Sequence, residues 1–334
     1  MSVRHELKRF DFGDLELQSG QILEDGFLTY STHGTLNTRR DNAILVLPSL
    51  MADHTRHDFL IGPGKAFDPE RNFIITTNTL GNGKAISPSN SARQPGAAFP
   101  RFTIVDMVRA QHRLARDVFG IDQFLAVAGL SMGGMQTLQW AVAFPTAMKA
   151  IVPIITQARA TPWVSAYWHA MRKPILESST EDDRRDALCR SLYHFLLMTR
   201  HWIWYQGAFE NDIQELHRWM DAEARRIASL WHPFDFISQT YAEDDYDLTH
   251  LVGVSSVEEA LSLIEARVLL MPSATDILHP ASELHFALPH LKNARLVEIP
   301  SSCGHLGGGG LDPQDAAFMN REIASFLAEV EAAG

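Results

Sequence analysis

Cysteine is nearly absent: Cys189 and Cys303 are the only two in 334 residues, far apart and in no CxxC pair. Two such cysteines make neither a disulfide framework nor a paired-thiolate zinc site. No HExxH or other metal-ligand spacing occurs, so neither a metal nor a bound cofactor is expected. No apolar run reaches the roughly 18 residues a membrane helix needs. The polar start Met1-Ser2-Val3-Arg4-His5-Glu6 lacks the apolar core of a secretory signal. The expectation is a cytoplasmic protein with no membrane association. Dense Lys/Arg clusters with interleaved aromatics are also missing. With 29 basic against 40 acidic side chains and a net charge of −11, the surface repels nucleic acid and anionic lipid. The 15 histidines are scattered and add positive charge only below about pH 6. Internal repeats and low-complexity segments are absent as well.

What is present is an ordinary globular composition, 46% hydrophobic and 21% charged, so no long stretch is expected to be disordered. The length suits either one large α/β domain or a core carrying an insertion. Residues 8–18 and 27–32 alternate polar and apolar and read as antiparallel edge strands. Short apolar runs at 43–47, 73–76 and 124–128 read as buried strands. Residues 105–119 carry apolar side chains at helical spacing (Val105, Val108, Leu114, Val118) and stop at Gly120, a C-terminal cap residue. Strands alternating with helices imply a mostly parallel sheet covered on both faces.

The pattern changes near residue 160. From Pro162 to about Leu251 the chain has helical spacing and no convincing strand, and it holds six of the seven tryptophans. Strand-like runs resume at 267–271 and 294–299, and a last helix is expected over about 316–329. The organisation read from this is a first core part over 1–160, a helical lid insertion over 161–255 and a second core part over 256–334.

The chemistry centres on Gly129-Leu130-Ser131-Met132-Gly133-Gly134. It follows an apolar run and precedes a helix-prone segment: strand, sharp turn, helix, with a G-x-S-x-G turn. Small residues at 129 and 133 leave room for close backbone and strained dihedrals. The serine Oγ then projects above the sheet, beside helix N–H groups that favour negative charge. Serine is a weak nucleophile and needs a base, and the base needs an orienting acid. Asp276 lies in the loop beyond the 267–271 strand. His305 lies in the loop beyond the 294–299 strand, again at a carboxyl end. His279, on the acid's own loop, is a rival base of lower rank. Oxyanion donors are expected from the Met132 N–H and from the loop after residues 43–47. There the Leu50 N–H is preferred, with Ser49 and Met51 as alternatives, since Pro48 has no N–H.

Other features carry less. Gly62-Pro63-Gly64-Lys65 looks like a phosphate loop, but Phe59 and Ala66 stand where that pattern needs Gly and Ser or Thr. The glycines at 307–310 read as a flexible turn, or as freedom for the histidine loop or for substrate approach. Tryptophans of the insertion read first as packing, with some able to line an acyl or alcohol pocket.

Several stretches together resemble the homoserine O-acetyltransferase family of the α/β-hydrolase superfamily. They are Ile61-Gly62-Pro63-Gly64-Lys65-Ala66-Phe67-Asp68, Asn78-Thr79-Leu80-Gly81, Thr103-Ile104-Val105-Asp106-Met107-Val108-Arg109-Ala110-Gln111, Ser131-Met132-Gly133-Gly134-Met135-Gln136, Asp276-Ile277-Leu278 and Gly304-His305. The resemblance implies an α/β-hydrolase fold with a helical lid, a serine acylated by an ester or thioester, and often a homodimer formed through that lid. It supports Ser131, Asp276 and His305 position by position.

Three departures shape the expected activity. Leu306 follows His305 where the transferases carry an Asp that helps hold the amino group of homoserine, and an apolar side chain cannot pair with an ammonium. Thr55-Arg56-His57-Asp58 replaces a tryptophan-containing segment, and Leu130 stands where the transferases usually have Gly. Arg172, Arg190 and Arg200 all remain candidates for an acceptor's carboxylate. The chain thus looks closer to the family's esterase members, which hydrolyse alkyl acetates. The expected activity is a serine carboxylesterase acting on short-chain, acetyl-type esters. The alternatives are an acetyl-CoA-dependent O-acyltransferase using homoserine or another alcohol, and, ranked below it, a non-catalytic ligand-binding protein on the same fold.

Overall fold

A computed structural model of the chain describes residues 5–333. Met1 to Arg4, part of the polar start considered above, lie outside the described residues. The strands are β1 (Lys8–Glu16), β2 (Ile22–His33), β3 (Ala43–Leu47), β4 (Phe73–Thr77), β5 (Phe124–Leu130), β6 (Met148–Ile154), β7 (Arg267–Leu270) and β8 (Ala294–Leu296). They form one sheet in the order β1-β2-β4-β3-β5-β6-β7-β8. Only the β1–β2 and β2–β4 pairings are antiparallel. From β4 to β8 every pairing is parallel.

The central strands are buried along almost their whole length because helices cover both faces. That burial is why they read as continuous apolar runs and not as alternation. One expectation is corrected here: β2 is no edge strand, since it pairs with β1 on one side and β4 on the other. Residues 27–31 are all buried, so the alternation there marks an inner strand packed on both faces, with Thr29 and Ser31 among its buried polar residues. A strand the sequence did not reveal is β6, where Lys149 and Pro153 break the apolar run and proline reads against a central strand. The Pro153 carbonyl still takes the Met271 N–H at 3.2 Å.

Helix α1 (Ile104–Phe119) begins where the Thr103 N–H donates to the Asp106 carboxylate at 2.9 Å. It ends at Gly120 with φ 58°, the left-handed conformation that glycine adopts without strain. Helix α2 (Met132–Ala143) follows β5 directly. Between β6 and β7 come α3 (Pro162–Leu176), α4 (Glu181–Thr199), α5 (Trp202–Phe209), α6 (Ile213–Leu230), α7 (Pro233–Asp244) and α8 (Val257–Ser262). Helices α9 (Ala281–Ala287) and α10 (Pro313–Ala333) complete the set.

Two apolar clusters sandwich the sheet. One joins α1, α2 and the inserted helices to one face; the other packs Met319, Ile323, Phe326 and Val330 of α10 against Ile44, Val46 and Leu125. The loops at the carboxyl ends of the parallel strands hold Ser131, Asp276 and His305. No helix among the described residues is long and apolar enough to cross a membrane.

Candidate active site

Ser131 stands between β5 and α2 with φ 56° and ψ −119°. A side-chain-bearing residue adopts such a φ only where its surroundings impose it. The Ser131 N–H donates to the Ile154 carbonyl at 2.9 Å, and the Thr156 hydroxyl donates to the Ser131 carbonyl at 2.8 Å. A Cβ on Gly129 would lie 2.2 Å from the Gly133 carbonyl oxygen, and one on Gly133 would lie 2.2 Å from that of Leu47. Both glycines of the turn are steric requirements.

His305 sits in a short 3₁₀ helix, Gly304–Gly309, beyond β8. Its Nε2 lies 3.0 Å from Ser131 Oγ, and its Nδ1 lies 2.7 Å from Asp276 Oδ2. All three side chains are buried. A carboxylate only accepts, so Nδ1 carries the ring proton and Nε2 is left to accept the Ser131 O–H. The other Asp276 oxygen takes the N–H groups of Leu278 and His279 at 2.8 and 2.9 Å. The structure thus brings Ser131, His305 and Asp276 together in one hydrogen-bonded chain.

Two hydroxyl residues that sequence reasoning missed hold the acid loop to the histidine loop. Ser273 donates to the Gly304 carbonyl at 2.8 Å, and Thr275 donates to that of Ser301 at 2.8 Å while accepting the Gly304 N–H at 3.0 Å. Their only signal in the sequence is their place beside Asp276. The rival base His279 is kept away from Ser131. Its Nδ1 meets the Ile155 carbonyl at 2.9 Å, and burial pushes its pKa down to about 4. Its ring packs edge-on to that of His305 with centroids 5.0 Å apart.

Met132 opens α2, so its N–H has no carbonyl within the helix to meet. On the facing loop the Met51 N–H is committed to Gln239 Oε1 at 2.7 Å. The N–H groups of Ser49 and Leu50 make no hydrogen bond among the described residues. The N–H groups of Leu50 and Ser49 are thus open to a ligand, while that of Met51 is already taken. Gln239, fully buried on α7, anchors this loop by also donating to the Leu80 carbonyl at 2.9 Å. Nothing in the sequence pointed to it.

Above Ser131 opens a cavity of about 650 Å³. Trp168, Phe195 and Trp231 from the inserted helices line it, as do Leu278 and Leu306. Among the arginine candidates only Arg200 reaches it: Arg172 is paired with Asp244, and Arg190 is exposed. Leu130 is buried in the core behind the strand and does not meet the cavity.

The glycines at 307–310 are not a flexible turn. A Cβ on Gly307, Gly308 or Gly310 would come within 2.3, 2.4 or 2.7 Å of Ser301, Ile155 or Phe59. The run is a tightly packed turn of 3₁₀ helix whose glycines make room for neighbours. Lys65 of the phosphate-loop lookalike points its ammonium at the Asp58 carbonyl, 2.9 Å away. Among the described residues no group of three or more His, Cys, Asp or Glu side chains is placed to hold a metal ion.

This geometry has known counterparts. Residues 42–175 match the alpha/beta hydrolase fold family. A homoserine O-acetyltransferase from Deferribacter desulfuricans is 32% identical, the match covering 87% of this chain and 88% of the relative. The chain belongs to this homoserine O-acetyltransferase-like family of α/β hydrolases. A relative from Corynebacterium glutamicum named a probable esterase is 30% identical over 88% of each chain. The solved structure of an acetylester hydrolase from the same organism superposes with a TM-score of 0.90 at 27% identity, covering 97% of this chain and 96% of that one. Within the family, then, close likeness runs to acetyl esterases as well as to transferases.

Proposed function

We propose that the protein is a serine carboxylesterase for short, acetyl-type esters. The observation that carries this reading is the hydrogen-bonded line Ser131–His305–Asp276 at the floor of a cavity. Likeness to an acetylester hydrolase supports it. In the proposed cycle His305 Nε2 takes the Ser131 proton as Oγ attacks the ester carbonyl. The Met132 and Leu50 N–H groups receive the oxyanion of the tetrahedral intermediate. The imidazolium then protonates the departing alcohol, leaving acylated Ser131. Water, deprotonated by the same nitrogen, releases the acid and regenerates the serine. Asp276 orients the ring and stabilises its cationic form.

Esterase and transferase share every step up to the acyl-enzyme and differ in what arrives next. Acetyl transfer from acetyl-CoA is the second reading, favoured by likeness to homoserine O-acetyltransferases. Leu306, in the cavity beside His305, weighs against an acceptor carrying an ammonium group.

One assay decides between them. Purified protein is given a short acetate ester in water, or acetyl-CoA with homoserine, with Ser131→Ala as control for both. The expected result is rapid hydrolysis that the control loses by about 10⁴-fold or more, with no O-acetylhomoserine formed. Dominant transfer to homoserine would sink the esterase reading. Absence of turnover, together with no labelling of Ser131 by a fluorophosphonate, would point to a binding protein instead.

A further inference from the structure

The cavity above Ser131 has a deep end and an open one, and exposure separates the two. Among its lining residues Trp168 is 2% exposed, whereas Leu311 is 43% and Leu230 68% exposed. Trp168 therefore meets the cavity at depth, and the two leucines stand at its mouth.

Sheet order fixes what each side faces. Ser131 ends β5. On one side of it lies β3, whose loop carries the Leu50 N–H; on the other lie β6, β7 and β8, with Asp276 and His305 in the loops beyond the last two. In the cycle proposed above, His305 Nε2 protonates the departing alcohol, so the alcohol lies on the His305 side. There the lining runs past Leu306 to Leu311, at the mouth. The acyl chain, borne by the same carbonyl carbon, points away from His305 toward the β3 side.

Helix α7 puts Trp168 on that side. Phe236, Gln239 and Glu243 recur at helical spacing along α7, so they share one stripe, and all three are buried. Gln239 grips the loop that carries Leu50. Phe236 meets the Trp168 ring edge-on, with centroids 6.1 Å apart. Glu243 Oε2 accepts the indole N–H of Trp168 at 2.7 Å. The helix that sets the oxyanion loop thus also sets the indole. Phe236 further stacks on Trp231, a second lining residue, with centroids 5.9 Å apart. Swinging the indole aside would break these contacts and strand a buried N–H.

Burial pushes the Glu243 carboxyl up to about 8, so it is mostly neutral at pH 7. Arg172, the cation that acts on it, is paired with Asp244. A neutral carboxyl and a carboxamide offer the indole the same kind of acceptor oxygen. Glu243→Gln is therefore the conservative change and Glu243→Leu the one that removes the acceptor.

We infer that Trp168, held by Glu243 and Phe236, closes the acyl side of the cavity and limits the acyl group to a short chain, while the alcohol is free to lengthen toward the mouth at Leu311. The inference rests on the esterase reading above and names the residues that set its acyl length.

Two ester series test it. The p-nitrophenyl acetate, butanoate and hexanoate vary the acyl chain on one alcohol; ethyl, butyl and hexyl acetate vary the alcohol on one acyl group. From acetate to butanoate the native protein should lose about tenfold or more in kcat/KM, and from ethyl to hexyl acetate less than that. Trp168→Ala should raise the butanoate-to-acetate ratio by about tenfold or more and leave the hexyl-to-ethyl ratio near its native value. Glu243→Leu should move the acyl ratio the same way, and Glu243→Gln should hold it near native, a rescue that a mere packing role does not require. A native protein that takes hexanoate as readily as acetate overturns the inference. So does a Trp168→Ala shift that appears in the alcohol series or in neither, and so do equal shifts in Glu243→Gln and Glu243→Leu. If Trp168→Ala or Glu243→Leu fails to fold, Trp168→Leu and the native series decide. Labelling of Ser131 by ethyl p-nitrophenyl methylphosphonate and by its hexylphosphonate counterpart reads the same wall without turnover. Faster labelling by the methyl probe, lost in Trp168→Ala, in a protein that hydrolyses none of the esters would overturn the esterase and leave the wall standing.

Discussion

His279 shows how one residue's surroundings settle a question its spacing leaves open. Its side chain is buried, its Nδ1 faces the Ile155 carbonyl, and burial holds its pKa near 4 against 6.5 in an open chain. Between those values the unfolded chain takes up a proton at this site and the folded chain does not. Its stabilising contribution is therefore complete above about pH 6.5 and is lost as pH falls toward 4, at up to about 1.4 kcal/mol per pH unit. Other buried groups slope the opposite way: burial pushes the Glu243 carboxyl up to about 8, which favours the fold at lower pH. The comparison must therefore be between proteins that differ only at 279. With His279→Phe, the stability gap to the native protein should narrow as pH drops from 7 to 4.5, read from urea midpoints at each pH. A gap that stays constant would mean that the imidazole is not held neutral.

Among elements, the inserted helices and the core are joined at the point where chemistry is expected. Gln239 of α7 reaches down to take the Met51 N–H and to donate to the Leu80 carbonyl, so an inserted helix sets the loop that carries Leu50. Gln239→Leu keeps the volume and strands both backbone groups, at a cost of about 1–3 kcal/mol in stability. It should also lower kcat by roughly 10–100-fold with little change in KM, because a misplaced oxyanion donor weakens only the transition state. Equal losses in kcat for the variant and a denaturation-matched control would reduce Gln239 to a packing role.

Gln239 also marks where sequence reading runs out. The meeting of Ser131, Asp276 and His305 in one hydrogen-bonded chain was legible because each follows a strand-like apolar run, and because glycines at 129 and 133 answer a steric demand visible in the motif itself. Strands β3, β5 and β7 and helix α1 were legible for the same reason: local pattern and tertiary burial agree there. β6 was not, because Pro153 and Lys149 speak against a strand that the neighbouring β5 and β7 nevertheless enforce. The choice among Leu50, Ser49 and Met51 depends on a partner 188 residues away. The glycines at 307–310 look like slack in sequence and prove to be tight packing, since a missing Cβ has the same letter in either case.

At the scale of the whole molecule, the inserted helices leave apolar surface without cover. Helix α5 reads Trp-Ile-Trp-Tyr-Gln-Gly-Ala-Phe, and none of its residues is buried. Trp202 is 60% exposed and Leu230 of α6 is 68% exposed. Soluble monomers rarely leave large apolar patches open to water, and obligate dimers bury such faces. We propose that α5 is part of a homodimer interface formed through the lid. Sedimentation at micromolar concentration should then give a dimer, and the pair of changes Trp202→Glu and Ile203→Glu should shift it toward monomer by placing unpaired charge in the contact. A native protein that sediments as a monomer would remove the dimer, and the exposed face of α5 would then need another occupant.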